Sequence, residues 1–264
     1  MTMIQLKQTR LEVELIGQPV HAADSAQSPI VFLHEGLGSL AMWRSRDAFW
    51  PEQVCQATGR AGVVYSRQGY GQSDGVPDVR GANRLQPDYL HHEAWQVLPE
   101  LLSVLNIPQP VLLGHSDGGT IALLYAARHP LSACVVMAPH VMVEDVSIRA
   151  IETARDAYVN GHLRERLSKF HQDVDGAFWQ WNDVWLYDGF RSFDIRSLCH
   201  DIRCPVLAMQ GVDDAYGTLR QIEEIAPKHG QITRHALVHC GHSPHKDQPQ
   251  EALARVAEFL NDKP

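Results

Sequence analysis

The residues best equipped for chemistry in this sequence are a serine followed, much later, by a carboxylate and an imidazole. Ser116 lies in Pro110-Val111-Leu112-Leu113-Gly114-His115-Ser116-Asp117-Gly118-Gly119, where an apolar run passes through Gly-x-Ser-x-Gly into a helix-forming stretch at 120–128. A strand that turns sharply into a helix holds the serine hydroxyl clear of the sheet, and the flanking glycines leave no side chain where strand and helix nearly touch. The five-residue pattern alone is weak because its residues are common. Its context makes it specific: a strand before it, a helix after it, and partners that follow in the order acid, then histidine.

A serine hydroxyl at neutral pH needs a base to take its proton, and the base needs a third group to fix its tautomer. Both are present downstream. The apolar run 206–210 ends in Gly211-Val212-Asp213-Asp214, and the run 235–239 leads into Cys240-Gly241-His242-Ser243-Pro244. Residue types alone leave Asp213 and Asp214 as competitors, since adjacent side chains on an extended chain face different ways. Acyl transfer also requires backbone N–H donors at the developing oxyanion. Asp117, the residue after the nucleophile, offers one.

These motifs resemble the α/β-hydrolase superfamily, in its serine-hydrolase branch. The resemblance implies Ser116 as nucleophile, Asp214 as the acid and His242 as the base. It also implies a second oxyanion donor in His34-Glu35-Gly36-Leu37-Gly38, where Glu35 interrupts the usual His-Gly pair and leaves Gly36 or Leu37, with Leu37 preferred. Arg67-Gln68-Gly69-Tyr70-Gly71-Gln72-Ser73 is similar to a scaffolding turn of the same superfamily. A serine at the elbow excludes the branches that attack with a carboxylate. Cleavage of a small carboxylic ester through an acyl-enzyme is the leading expectation. A carbon-carbon bond hydrolase of aromatic degradation and a receptor that does not turn over are the alternatives.

The elements that must position these groups are legible as short apolar runs at 30–33, 63–65, 111–113, 134–138, 206–209 and 235–238. Unbroken runs of this kind mark strands covered on both faces. Helical stretches at 47–58, 88–105, 118–128, 219–227 and 249–260 alternate with them. The fold expected is α/β, a doubly wound, mostly parallel sheet. Alternating residues in 1–17 read as one opening strand. The alternation stops at 143–201, which reads as a helical cap inserted into a core of 1–142 and 202–264. Phe178, Trp181 and Trp185 share one helical face there, suited to packing the cap down and to lining a pocket. Trp181, Trp185, Glu35 and His140, the last at the end of a core strand, are the candidate substrate-binding residues. Carboxylates at Asp117 and Glu35 would favour an amine, as in the amino-acid esters taken by valacyclovir-hydrolase-like enzymes, whose Gly-x-Ser-Asp-Gly-Gly the chain resembles; alternatively Asp117 only stabilises its helix N-terminus.

The 264 residues, 44% hydrophobic and 20% charged, can bury a full core. A net charge of −8 without a basic stripe argues against nucleic acid as partner and for a small molecule. No apolar run is long enough to span a membrane. Cys55, Cys134, Cys199, Cys204 and Cys240 lack paired spacing, which fits a reducing, cytoplasmic setting. His239, His242 and His245 recur at threes, but a strand end does not readily converge three imidazoles on one ion. No metal or other cofactor is expected, His239 and His245 read as strand-end and surface residues, and a homo-oligomer stays open.

Overall fold

The computed structural model describes residues 1–17 and 27–261; the expected core also covers 18–26 and 262–264, which lie outside the described residues. Eight strands form one sheet in the order β1-β2-β4-β3-β5-β6-β7-β8. They are β1 (Thr2–Gln5), β2 (Arg10–Ile16), β3 (Ile30–Leu33), β4 (Gly62–Tyr65), β5 (Val111–His115), β6 (Ala133–Met137), β7 (Val206–Gly211) and β8 (Ile232–Leu237). β1 and β2 pair antiparallel, as do β2 and β4, and every other neighbour pair is parallel. The opening segment expected as one strand is therefore a hairpin, closed by Leu6 N–H donating to the Thr9 carbonyl at 2.8 Å.

Each parallel strand sends alternate side chains into two separate apolar layers. Val31, Leu33, Leu112, Cys134 and Val136 enter one layer; Ile30, Phe32, Leu113, Val135 and Met137 enter the other. α1 (Trp50–Thr58) covers the second layer with Trp50 and Val54, one turn apart. The first layer is covered by α2 (Tyr89–His92), α3 (Leu98–Val104) and α4 (Asp117–Ala126). A π-type turn, Glu93–Val97, joins α2 to α3. Pro99 explains it, because proline lacks an N–H and its ring crowds the carbonyl four residues back.

Between β6 and β7 the chain is helical: α5 (Asp145–Val159), α6 (Leu163–Leu167), α7 (Val174–Trp185) and α8 (Arg196–Cys199). α5 buries Ile148, Ile151, Ala154 and Tyr158, a stripe at helical spacing. α7 opens with the Asp173 side chain accepting from the Gly176 N–H at 2.8 Å. The Phe178 ring stacks on Tyr158 at 3.6 Å. Two short helices follow, α9 (Arg220–Glu223) and α10 (Pro244–Asp247), and α11 (Pro249–Asn261) returns to the second layer, burying Ala252, Val256 and Leu260 at successive turns. All five cysteines are buried and free, and no helix among the described residues is long and apolar enough to cross a membrane.

Candidate active site

The sharp turn from β5 into α4 puts Ser116 at φ 54°, ψ −119°, a backbone conformation that costs an L-residue about 1–3 kcal/mol. The surroundings enforce it. Ser116 N–H donates to the Met137 carbonyl at 2.9 Å, and its own carbonyl accepts from Thr120 N–H at 3.0 Å. A Cβ at Gly114 would run into the Gly118 carbonyl, and one at Gly118 into the Leu33 carbonyl. Only glycine allows strand, helix and neighbouring strand to approach so closely.

Parallel strands bring the later groups to the same sheet edge. The loop after β7 carries Asp214 and the loop after β8 carries His242. His242 Nε2 lies 2.9 Å from Ser116 Oγ, and His242 Nδ1 lies 3.0 Å and 2.9 Å from the two Asp214 oxygens. Nδ1–H donates to the carboxylate, so Nε2 is left with the lone pair that can take the serine proton. Asp214 also accepts from Tyr216 N–H at 2.7 Å and Gln210 Nε2 at 2.6 Å. Burial alone would raise the Asp214 carboxyl, but hydrogen bonding to His242 and to Tyr216 N–H holds it below the usual range. Asp213, the competing acid, is exposed and its N–H donates to the Cys240 carbonyl.

A cavity of about 260 Å³ opens onto these groups. Glu35, Leu37, Asp117, His140, Trp181 and Trp185 all line it, so every expected substrate and oxyanion residue reaches the pocket. The Leu37 N–H has no hydrogen bond among the described residues, and His171 Nε2 meets the Leu37 carbonyl at 3.0 Å, fixing the loop. Arg67, 3% exposed, braces the same loop by donating to the carbonyls of His34 and Glu35 at 2.8 Å and 3.0 Å.

Both pocket carboxylates have partners of their own. Asp117 accepts from Tyr89 Oη at 2.7 Å and stands 3.8 Å from Arg67. Burial pushes its carboxyl up, only partly offset by Arg67 and Tyr89. Burial would likewise raise Glu35, but Lys246 at 3.4 Å, with His115 and His245, holds it well below the usual carboxylate range. Each acid already faces a cation.

Several functional neighbours escaped the sequence. Tyr216 packs against His242, its ring 4.7 Å from the imidazole, and its position two residues past Asp214 was the only available signal. His115 Nε2 donates to the His242 carbonyl at 2.7 Å, while its Nδ1 faces Glu35 Oε2 at 3.6 Å. Burial pushes that imidazole down to about 4, against the pull of Glu35. His245 is 6% exposed, not a surface residue, and its ring packs against Trp43 and His115 at 4.7 Å and 4.9 Å. No group of three His, Cys, Asp or Glu residues able to hold a metal ion occurs among the described residues. A larger cavity, about 650 Å³, borders Arg67, Tyr70, Tyr89 and Gln180 but reaches none of Ser116, His242 and Asp214.

Comparison with known proteins agrees with this architecture. The chain is similar to an esterase from Thermogutta terrifontis, with 18% identity, TM-score 0.70, and 96% of this chain and 94% of that chain covered. It is similar to the enol-lactonase of Burkholderia xenovorans at 18% identity, TM-score 0.70, and 98% and 99% coverage. The proline iminopeptidase of Mycobacterium smegmatis aligns at 18% identity, TM-score 0.66, and 99% and 97% coverage. Such distant likenesses establish the shared fold. The family model of the alpha/beta hydrolases matches residues 30–256, most of the chain, and the protein belongs to the alpha/beta hydrolase family.

Proposed function

We propose that the protein is a serine hydrolase that cleaves a small carboxylic ester through an acyl-enzyme. One observation carries the reading: an unbroken hydrogen-bonded line from Ser116 Oγ through the His242 ring to a buried carboxylate. Ser116 Oγ attacks the ester carbonyl as His242 Nε2 takes its proton. The imidazolium then gives that proton to the departing alkoxide. Water, deprotonated by the same nitrogen, attacks the acyl-enzyme, and the proton returns to Ser116 as the acid leaves. The N–H groups of Asp117 and Leu37 are the proposed oxyanion donors, each worth about 2.7–4 kcal/mol in the transition state by analogy with other such sites.

Substrate size and charge follow from the pocket. A cavity of about 260 Å³ suits a compact acyl group. Ile151, Trp181 and Trp185 reach it from the helical segment, which supports residues 143–201 as a cap over a core of 1–142 and 202–264. Because Asp117 and Glu35 each have a cationic partner, an uncharged ester fits better than an ammonium-bearing one. Steady-state assay of Ser116→Ala on p-nitrophenyl esters tests the proposal. Loss of essentially all turnover is expected; near-wild-type activity would end the assignment.

A further inference from the structure

His140 is a buried imidazole whose hydrogen bonds are missing. Thr120 Oγ1 pins its backbone on both sides, accepting from the His140 N–H and donating to its carbonyl, each at 2.9 Å. The ring is fixed by packing instead: it lies edge-on to Trp185, centroids 4.9 Å apart, and 5.8 Å from the His242 ring. The residue is 3% exposed and lines the catalytic pocket. Neither ring nitrogen has a hydrogen bond among the described residues, and Nδ1 is sealed from solvent. Buried polar atoms are nearly always paired; Nε2, which has no bond and is not sealed as Nδ1 is, is the ring nitrogen left to meet a partner from whatever fills the pocket.

The chemistry of that partner can be narrowed. Burial, reinforced by His242, pushes the His140 imidazole down to about 3 against the pull of Asp214, so the ring is neutral and carries one N–H and one lone pair. A buried N–H left unpaired is rarer and costlier than an unpaired acceptor. The sealed Nδ1 therefore keeps the lone pair, and Nε2 carries the proton toward the pocket. The ligand atom must be an acceptor. Glu35, held ionised on the same pocket wall, repels a second carboxylate.

We infer that His140 donates its Nε2–H to an uncharged oxygen of the substrate, so that the preferred esters carry an ether, hydroxyl or keto oxygen within a few bonds of the scissile carbonyl. This rests on the ester-hydrolase reading above. It makes His140 a specificity-determining residue, one that separates oxygen-bearing acyl groups from hydrocarbon ones of the same shape.

Two pairs of p-nitrophenyl esters test it: methoxyacetate against butyrate, and 3-methoxypropionate against pentanoate, each pair differing by one oxygen in place of a methylene. The ratio of specificity constants, ether over hydrocarbon, is measured for the wild type, His140→Phe and His140→Gln. Intrinsic reactivity cancels between proteins, and the folded fraction cancels within each preparation. For at least one pair the ratio is expected to fall about fivefold to tenfold in His140→Phe, the worth of one net hydrogen bond, and to recover in His140→Gln, whose amide restores a donor. Ratios within twofold of wild type for both pairs in His140→Phe, or an equal fall in both variants, overturn the inference. Dissociation constants of the same esters on Ser116→Ala, with and without His140→Phe, give an answer independent of turnover. If the wild type hydrolyses none of the esters, the hydrolase reading falls, and the binding ratio alone decides: a fall of the same size supports the role of His140, and an unchanged ratio overturns it.

Discussion

Replacing Asp214 with asparagine changes one atom and removes one charge, and the surrounding donors determine the result. Tyr216 N–H, fixed by the backbone, points at Oδ1 from 2.7 Å and selects the amide oxygen for that position. The same oxygen still accepts from His242 Nδ1, 3.0 Å away, so the tautomer that leaves Nε2 free for Ser116 survives. The amide nitrogen then occupies the place of Oδ2, facing Gln210 Nε2, which must turn its own amide over at the cost of its bond to the Gly217 carbonyl; Gln210 Oε1 has no partner among the described residues and can accept. What is lost is the charge behind the imidazolium. With charge centres about 4 Å apart and an effective dielectric of about 20, that attraction is about 4 kcal/mol. The barrier rises by that amount, and kcat falls about a thousandfold with little change in KM. Stopped assay of p-nitrophenyl ester hydrolysis by Asp214→Asn, with Asp213→Asn alongside, makes the comparison. Asp213 is exposed and, among the described residues, no hydrogen bond joins its carboxylate to His242, so its variant should stay near wild type. A loss below tenfold in Asp214→Asn, or a thousandfold loss in Asp213→Asn, refutes the reasoning.

Three further outcomes are expected. His115→Phe keeps a ring but deletes the donor to the His242 carbonyl, so kcat should drop about fivefold to tenfold, and His115→Gln should recover most of it; equal losses in both would reduce His115 to packing. Gly118→Ala drives a Cβ into the Leu33 carbonyl, backbone that cannot swing aside, and should cost about 1–3 kcal/mol, seen as a melting temperature lower by about 2–12 °C; an unchanged melting curve contradicts that close approach. Buried His34, His115, His140 and His245 all have folded-state values depressed by burial. Their contribution is therefore present above the unfolded histidine value near 6.5 and lost as pH falls below it, together about 5 kcal/mol per pH unit. Urea midpoints should fall steeply between pH 6.5 and about 5, and a flat profile there would contradict neutral burial.

Much of the candidate site was legible because parallel strands deliver their following loops to one edge. Ser116, Asp214 and His242 each come just after an apolar run, and chain order alone predicted that they converge. Preference for Asp214 over Asp213 came from family resemblance; the donors that close on the Asp214 carboxylate, Tyr216 N–H and Gln210, are near in sequence, but which of two adjacent carboxylates they meet depends on the turn's geometry, which residue types do not record. The opening hairpin went unread because Leu6, Lys7, Gln8 and Thr9 contain none of the Gly, Pro, Asn or Asp residues that announce a turn. The fate of His245 was hidden for a different reason. It is buried by Trp43 and His115, brought from remote parts of the chain, so no local periodicity records it. The cationic neighbours of Asp117 and Glu35 were hidden in the same way, since Arg67 and Lys246 approach from distant segments.

Ser116 is proposed to be a nucleophile made reactive by His242. Brief treatment with diisopropyl fluorophosphate followed by peptide mass spectrometry tests it directly. One phosphoryl adduct per chain on the Ser116 peptide, abolished in His242→Ala, is the predicted result. An unmodified Ser116 in a preparation that still hydrolyses esters would contradict it.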